Sequence, residues 1–493
     1  MRRLINHLVP ALATVLLTFV LAGCEVGPNY IRPTIEQPTT FKSQPATQPA
    51  AQLPSDWWRL YRDPELDQLV ATANESNQNV RQAVARVDQA RAVARVAASF
   101  LLPTVTADPS YARNRDSANR PSPLTGQPIG TSVVYNDWRV PLDLTYEIDV
   151  WGRVRRSVEA SNAQTAATVA DLAVVRLTVQ TDVATYYYTL RGLDAQEQIL
   201  QQTVAAYEEQ VRLVTAELKN GLVAPLDLYQ AQALLAAAQA QLRDVQRARA
   251  DEEHALAVLC GKPAPSFGVA ADPLLEAAPP AVPPGLPAQA LTRRPDVAEA
   301  EQNVIAYNAQ VGVATADFYP TFTLTGTAGF ESVSSSELFN WQSKFASIAP
   351  SISVPLFEGG RLQANLAAAQ AQYRQFVAAF VNQILTAYSD VEDALTDLHA
   401  LTDEVTRMRA AVAASEDYLR TANVQYKQGL VNYLVVIDAE RTLLTNQLAL
   451  SQDVNQQMNA SVHLIKSLGG GWDAKTPGAL APNGNTAPSG DMR

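Results

Sequence analysis

The chain has 493 residues, with 38 basic and 49 acidic side chains and a net charge of −11. That balance argues against a nucleic-acid partner, and the length allows several domains or one elongated one. Two cysteines, Cys24 and Cys260, and widely scattered histidines exclude a disulfide framework and the spaced ligand pattern of a zinc site. No stretch reads as a phosphate loop or a nucleophile elbow, so neither an enzyme nor a cofactor is expected.

Residues 1–23 read as a signal segment. Arg2 and Arg3 precede an apolar run, Leu8 to Leu21, that is too short to span a bilayer. The run ends in Leu21-Ala22-Gly23-Cys24, which resembles a bacterial lipobox. Cys24 is therefore expected to carry a covalent lipid, and Glu25 after it fits outer-membrane sorting. Residues 24–62 carry six prolines between Pro28 and Pro54 and are expected to be extended rather than packed.

Residues 63–262 then read as helix (Leu66 to Ser99), hairpin (103–149), long helix from Gly152 to about Leu218, tip turn (219–224) and helix. A proline-dense linker occupies 263–287. The same order returns over 288–469: helix to about Asp317, hairpin (320–357), long helix, tip turn (427–432) and helix. Residues 470–493 form a Gly/Pro/Asn tail expected to be disordered.

The return is an internal duplication. Gly152-Arg153 matches Gly360-Arg361, and Lys219, Gly221, Leu222 and Val223 match Lys427, Gly429, Leu430 and Val431, all at an offset of 208. Two copies of one supersecondary unit give pseudo-twofold repetition.

The strands alternate. From Asn136 to Asp149 the even positions hold Trp138, Val140, Leu142, Leu144, Tyr146 and Ile148, and the odd ones are mostly charged. From Pro320 to Phe330 the odd positions 321–327 are all threonine, opposite Phe322, Leu324 and Phe330. Phe345 to Phe357 sets Ile348, Ile352, Val354 and Leu356 against serines. The Pro103–Arg113 strand is the weakest, with Pro109 inside it. Trp138 and Trp341 lie toward the loops, and Trp151, Phe318, Tyr319 and Phe357 at the opposite ends. An apolar face with aromatics at two levels is what a membrane barrel strand needs.

Four strands cannot close, and an open edge in lipid leaves backbone groups unpaired at several kcal/mol each. Copies of the chain must supply the rest. Two copies would make a barrel filled by its own side chains; three make a twelve-stranded barrel with a lumen. The long helix, at about 1.5 Å per residue, reaches ~100 Å. It carries one apolar stripe through Leu172, Val175, Val179, Val183, Tyr186, Leu190 and Leu193, and a second through Ala170, Ala173, Leu177, Ala184 and Tyr188. Two stripes allow neighbours on both sides, hence a ring of helices.

The fold class expected is a mixed α and β membrane protein: a trimeric 12-stranded β-barrel, four strands per chain, continued by a long α-helical barrel. Cys24-Glu25-Val26-Gly27-Pro28-Asn29-Tyr30 and Trp57-Trp58-Arg59-Leu60-Tyr61-Arg62-Asp63-Pro64 resemble the mature start of the lipoprotein outer-membrane efflux factors, the TolC/OprM/NodT-like family. The two Gly-Leu-Val turns resemble its helix–helix turns. The resemblance implies a homotrimeric outer-membrane exit duct of a tripartite efflux system, with a periplasmic adaptor protein and an inner-membrane RND-type pump as partners. It implies adaptor contact at Gly221, Leu222, Val223, Gly429, Leu430 and Val431.

It also makes Asp227 and Asp438 gate candidates. Asp227, two residues after Pro225, equally suits a plain helix cap, and the two readings stand side by side. Val431 and Val435 depart from the charged residues of TolC, so closure is expected to rest more on Leu430, Val431, Tyr433 and Leu434. The glycines themselves read as helix C-caps. Two other classes stay open: a passive outer-membrane porin, and a structural coiled-coil lipoprotein.

Overall fold

The computed structural model describes residues 25–36, 38–42, 53–121, 127–274, 277–282 and 293–472. The expectations for the signal segment, for Cys24 and for the tail beyond 472 lie outside the described residues. Two compact units are present, and they cut across the sequence repeats. One comprises 1–33, 88–166 and 301–379; the other comprises 34–87, 167–300 and 380–493.

The first unit holds one antiparallel sheet. Its strands are β1 (Thr104–Ala107), β2 (Ser110–Asp116), β3 (Val133–Ile148), β4 (Thr321–Ser332) and β5 (Lys344–Ser353). The order is β1-β3-β4-β5, with β2 also pairing β3. The expected Pro103–Arg113 strand is thus two strands, interrupted at Asp108-Pro109 because proline has no N–H for the ladder. Both pieces keep one register on β3, Ala107 opposite Leu142 and Ser110 opposite Arg139. The last strand ends at Ser353, short of the expected Phe357, so Val354 and Leu356 lie beyond the ladder. Pro355 comes shortly after and has no N–H to continue the ladder.

The N-terminal stretch is extended, yet it is packed, contrary to expectation. Val26 N–H donates to Trp151 O at 3.1 Å. The carbonyl of Pro28 accepts from Asn308 Nδ2 at 2.9 Å, and Asn29 Oδ1 accepts from Arg156 at 2.7 Å. Arg32 pairs with Glu301 at 3.0 Å. Proline-rich backbone has few donors, so side chains from neighbouring helices satisfy its acceptors instead. Gly27, at φ +93°, presses against the backbone of Gly312, where no side chain fits.

The helices are α1 (Pro64–Ser76), α2 (Gln78–Ser99), α3 (Arg153–Lys219), α4 (Pro225–Leu259), α5 (Pro295–Ala316), α6 (Arg361–Lys427) and α7 (Tyr433–Ser467). The single helix expected over 66–99 is broken at Asn77. That residue is extended, ends α1, and caps α2 by accepting from Asn79 and Val80 N–H at 2.9 and 3.2 Å. Asp63 caps α1 in the same way, with Pro64 in the first turn.

In the second unit both stripes of α3 are largely buried, Val179, Val183 and Leu190 on one and Ala170, Ala184 and Tyr188 on the other; Tyr186 alone is exposed. Trp57 is fully buried in the same core, edge-on to Trp58 and Tyr61. Over residues 263–274 the expected 263–287 linker is a strap rather than a loose linker. Arg249 donates to Val269 O at 2.8 Å, Asp272 N–H donates to Asp194 Oδ2 at 3.0 Å, and Val269 is buried. The start of the tail is packed as well: Gly469 and Gly470 are buried, with positive φ. Cys260 is a buried core thiol whose pKa burial pushes up to about 11.

Candidate functional site

The two interhelical turns have one backbone. At the first, Gly221 N–H donates to Leu218 O at 3.0 Å and Leu222 N–H to Glu217 O at 2.9 Å. At the second, Gly429 N–H donates to Tyr426 O and Leu430 N–H to Gln425 O, both at 2.9 Å. These are Schellman caps, and both glycines have φ +72°. Open space surrounds each, so the backbone angle requires glycine and crowding does not. Leu222 is 74% exposed and Leu430 69%. Val223 and Val431 are half-buried.

The turns differ at the start of the next helix. After the first, Asp227 Oδ2 accepts from Ala224 N–H at 3.2 Å while Asp227 N–H donates back to Ala224 O at 3.1 Å. That geometry is a cap on α4. After the second, Asn432 makes no side-chain cap. Asp438 lies further along α7, exposed, and accepts from Tyr418 of α6 at 3.1 Å. The hydrogen bond to that carboxylate raises the Tyr418 hydroxyl pKa. The structure therefore places the two gate candidates in unlike roles within the chain: one holds its own helix end, the other ties two helices.

Beneath the turns lies a small core. Val214, Ala422, Tyr433, Val436, Ile437 and Ala439 are buried together, with Val223, Tyr426 and Val435 packed against them. Tyr433 belongs to this core, so it is not an exposed contact like Leu430 and Leu434. Tyr426 donates to Glu217 Oε2 at 3.4 Å, joining α6 to α3. Glu440 was not singled out by sequence. Its Oε2 is buried without a hydrogen-bond partner, and burial pushes its pKa up to about 7. The available signal was an asymmetry in the duplication, since Gln232 stands at the matching position.

The sheet is a second, separate candidate surface. Trp138 faces Ser332, Val140 faces Phe330 and Leu142 faces Ala328; one residue on, Arg139 faces Glu331 and Asp143 faces Thr327. Phe322 faces Ile352, and Thr321 and Thr323 face Ser353 and Ser351. Directly opposed residues share a face. One face of the sheet is therefore mainly apolar, and the other carries threonine, serine and the acidic residues. Trp151 and Tyr319 meet at 4.8 Å at one end, and Tyr111 and Trp138 at 4.4 Å toward the other. Among the described residues, the β1/β2 edge and the β5 edge have no strand beside them.

A family model for outer membrane efflux proteins matches residues 69–262 and 286–470. The solvent efflux pump outer membrane protein SrpC of Pseudomonas putida is 33% identical over 459 residues, covering 92% of this chain and 96% of that protein. The outer membrane protein OprJ of Pseudomonas aeruginosa is 30% identical over 468 residues, covering 94% and 96%. Among solved structures, the outer-membrane channel OprN superposes with a TM-score of 0.85 at 30% identity, over 91% of this chain and 100% of that one. The open state of the Neisseria gonorrhoeae MtrE outer membrane channel gives 0.78 at 28% identity, over 91% and 99%. These matches span both repeats and both compact units: the chain belongs to the outer membrane efflux protein family, whose members are passive channels rather than enzymes.

Proposed function

We propose that the chain forms, as a homotrimer, the exit duct of a tripartite efflux system, passing small molecules from a periplasmic adaptor and an inner-membrane RND-type pump to the outside. The single observation that carries this is the sheet: two-faced along its length, and open at both edges. Three lipid-facing copies supply twelve strand lanes, and an even number of lanes per copy keeps every new pairing antiparallel. The polar face of Thr321, Thr323, Thr325, Asp143 and Glu147 then lines the lumen. Cys24 carries the lipid that holds the chain to the outer membrane.

The turns at Gly221 and Gly429 form the periplasmic end, where exposed Leu222 and Leu430 need a partner. The adaptor covers them together with Val223 and Val431. Asp438 is the gate residue, and Asp227 the cap of its helix. A passive porin would not need two helices of 67 residues in each chain, and a coiled-coil scaffold would not need a two-faced sheet.

Conductance in planar bilayers tests the reading. The purified trimer is expected to insert and conduct poorly alone, then open when adaptor is supplied. A cysteine in place of Leu430 is expected to cross-link to that adaptor. A wide pore without adaptor supports a porin instead, and no pore at all supports a scaffold.

A further inference from the structure

The strand acids all lie on one face of the sheet, and of the four strand cations only Arg139, paired with Glu331, shares it. The register sets Arg113 opposite Asn136, Arg115 opposite Val134 and Lys344 opposite Phe330. All three cations thus lie on the apolar face, at the end that leads into loops 117–132 and 333–343. No acidic strand residue shares that face. Asp116, Asp137, Asp143, Glu147 and Glu331 are all on the other one.

The three cations are exposed or partly so. Neither Arg113 nor Lys344 is ion-paired with a described residue, and Arg115 only donates from Nε to Ser132 Oγ at 3.2 Å. Lys344 Nζ stands 3.6 Å above the ring of Trp341, itself 77% exposed. The topology adds a second observation. The cations stand on β2 and β5, which are the open edges. Closing the sheet with copies of itself sets β5 of one copy beside β1/β2 of the next. Lys344 then faces lipid on the strand adjacent to the one bearing Arg113 and Arg115. Like charges brought together at a lipid surface need a counter-charge there, and the strand acids point the other way.

We propose that each seam between copies binds the phosphates of an outer-leaflet glycolipid, through Lys344 of one copy and Arg113 and Arg115 of the next. The inference rests on the trimeric outer-membrane reading above. Guanidinium and ammonium groups at the border of an apolar belt suit a lipid head-group phosphate, whose acyl chains lie along the apolar face.

The test uses the full trimer in phosphatidylcholine nanodiscs, with added bis-phosphorylated lipid A, dephosphorylated lipid A or inorganic phosphate. Native mass spectrometry reads lipid retained, and heated gels read trimer dissociation. Wild type is expected to retain one lipid A per seam and to dissociate at higher temperature with it. R113Q/R115Q/K344Q is expected to bind lipid A on the order of 100-fold more weakly, and K344Q alone, should the triple variant not fold, about 5-fold more weakly. Equal retention of dephosphorylated lipid A, equal retention by the variants, or the same stabilisation by inorganic phosphate overturns the proposal. A trimer that conducts yet ignores lipid A defeats this inference alone. Absence of any trimer or pore defeats the duct reading with it.

Discussion

The two tip turns share a stop signal and differ in their restart. Both long helices end in the same Schellman cap around a glycine at φ +72°. Helix α4 then restarts on Pro225 with Asp227 closing its first turn, whereas α7 restarts on Tyr433, buried in the core beneath the turns. Pro225 and Tyr433 are matching positions of the duplication. The restart after the first turn is thus closed locally by the Asp227 side chain, and the restart after the second by the burial of Tyr433 and the Tyr418–Asp438 hydrogen bond across to α6. A local cap persists when helices separate. A cross-helix tie does not.

The contrast breaks first at Tyr433. Tyr433→Ala removes a buried aromatic and is expected to cost about 3–4 kcal/mol, read as faster hydrogen exchange around the second turn. Pro225→Ala at the matching place is expected to cost under about 1 kcal/mol. Equal losses would erase the distinction.

Glu440 comes next. Its pKa is about 7 in the fold, pushed up by burial, and lower in the unfolded chain. Between the two values the folded state holds the extra proton, so tip stability is highest in acid and falls as pH rises through about 7. The loss is expected to be about 2 kcal/mol, measured as hydrogen exchange at pH 5 against pH 8. Glu440→Gln is expected to flatten that dependence.

Gly221→Ala and Gly429→Ala are expected to cost about 1 kcal/mol each and equally, since both hold the same left-handed angle in open space. Unequal costs in thermal unfolding would mean that the stop signals are not equivalent after all. The smallest stability effect is expected from Asp227→Ala, under about 1 kcal/mol, with conductance unchanged. Asp438→Ala and Tyr418→Phe are expected instead to raise conductance without adaptor. Raised conductance from Asp227→Ala would reverse the assignment of roles.

Period-two patterning located β3 to within three residues and β4 to within two, because one face of each strand is mainly apolar and a slip by one would invert it. Glycine followed by Leu-Val located both helix stops, since the cap depends on the local chain alone. What the sequence hid depends on distant partners. Asn77 reads as one more polar residue in a helical run, and its break needs the Leu259 carbonyl that its side-chain amide meets at 2.8 Å. The proline-rich stretches read as unpacked because their bonding comes from Arg156, Asn308, Arg191 and Arg249, far away in the chain. Glu440 looks like any helix-surface acid until the neighbouring helices cover it.

Val26 is hydrogen-bonded to Trp151, and Glu25 pairs with Arg156 at 3.5 Å. Those two bonds hold the N-terminal stretch against the start of α3 without slack. Whatever position Trp151 and Tyr319 take at that end of the sheet is imposed on Glu25 and Val26 as well, so the N-terminal stretch and the sheet must settle together.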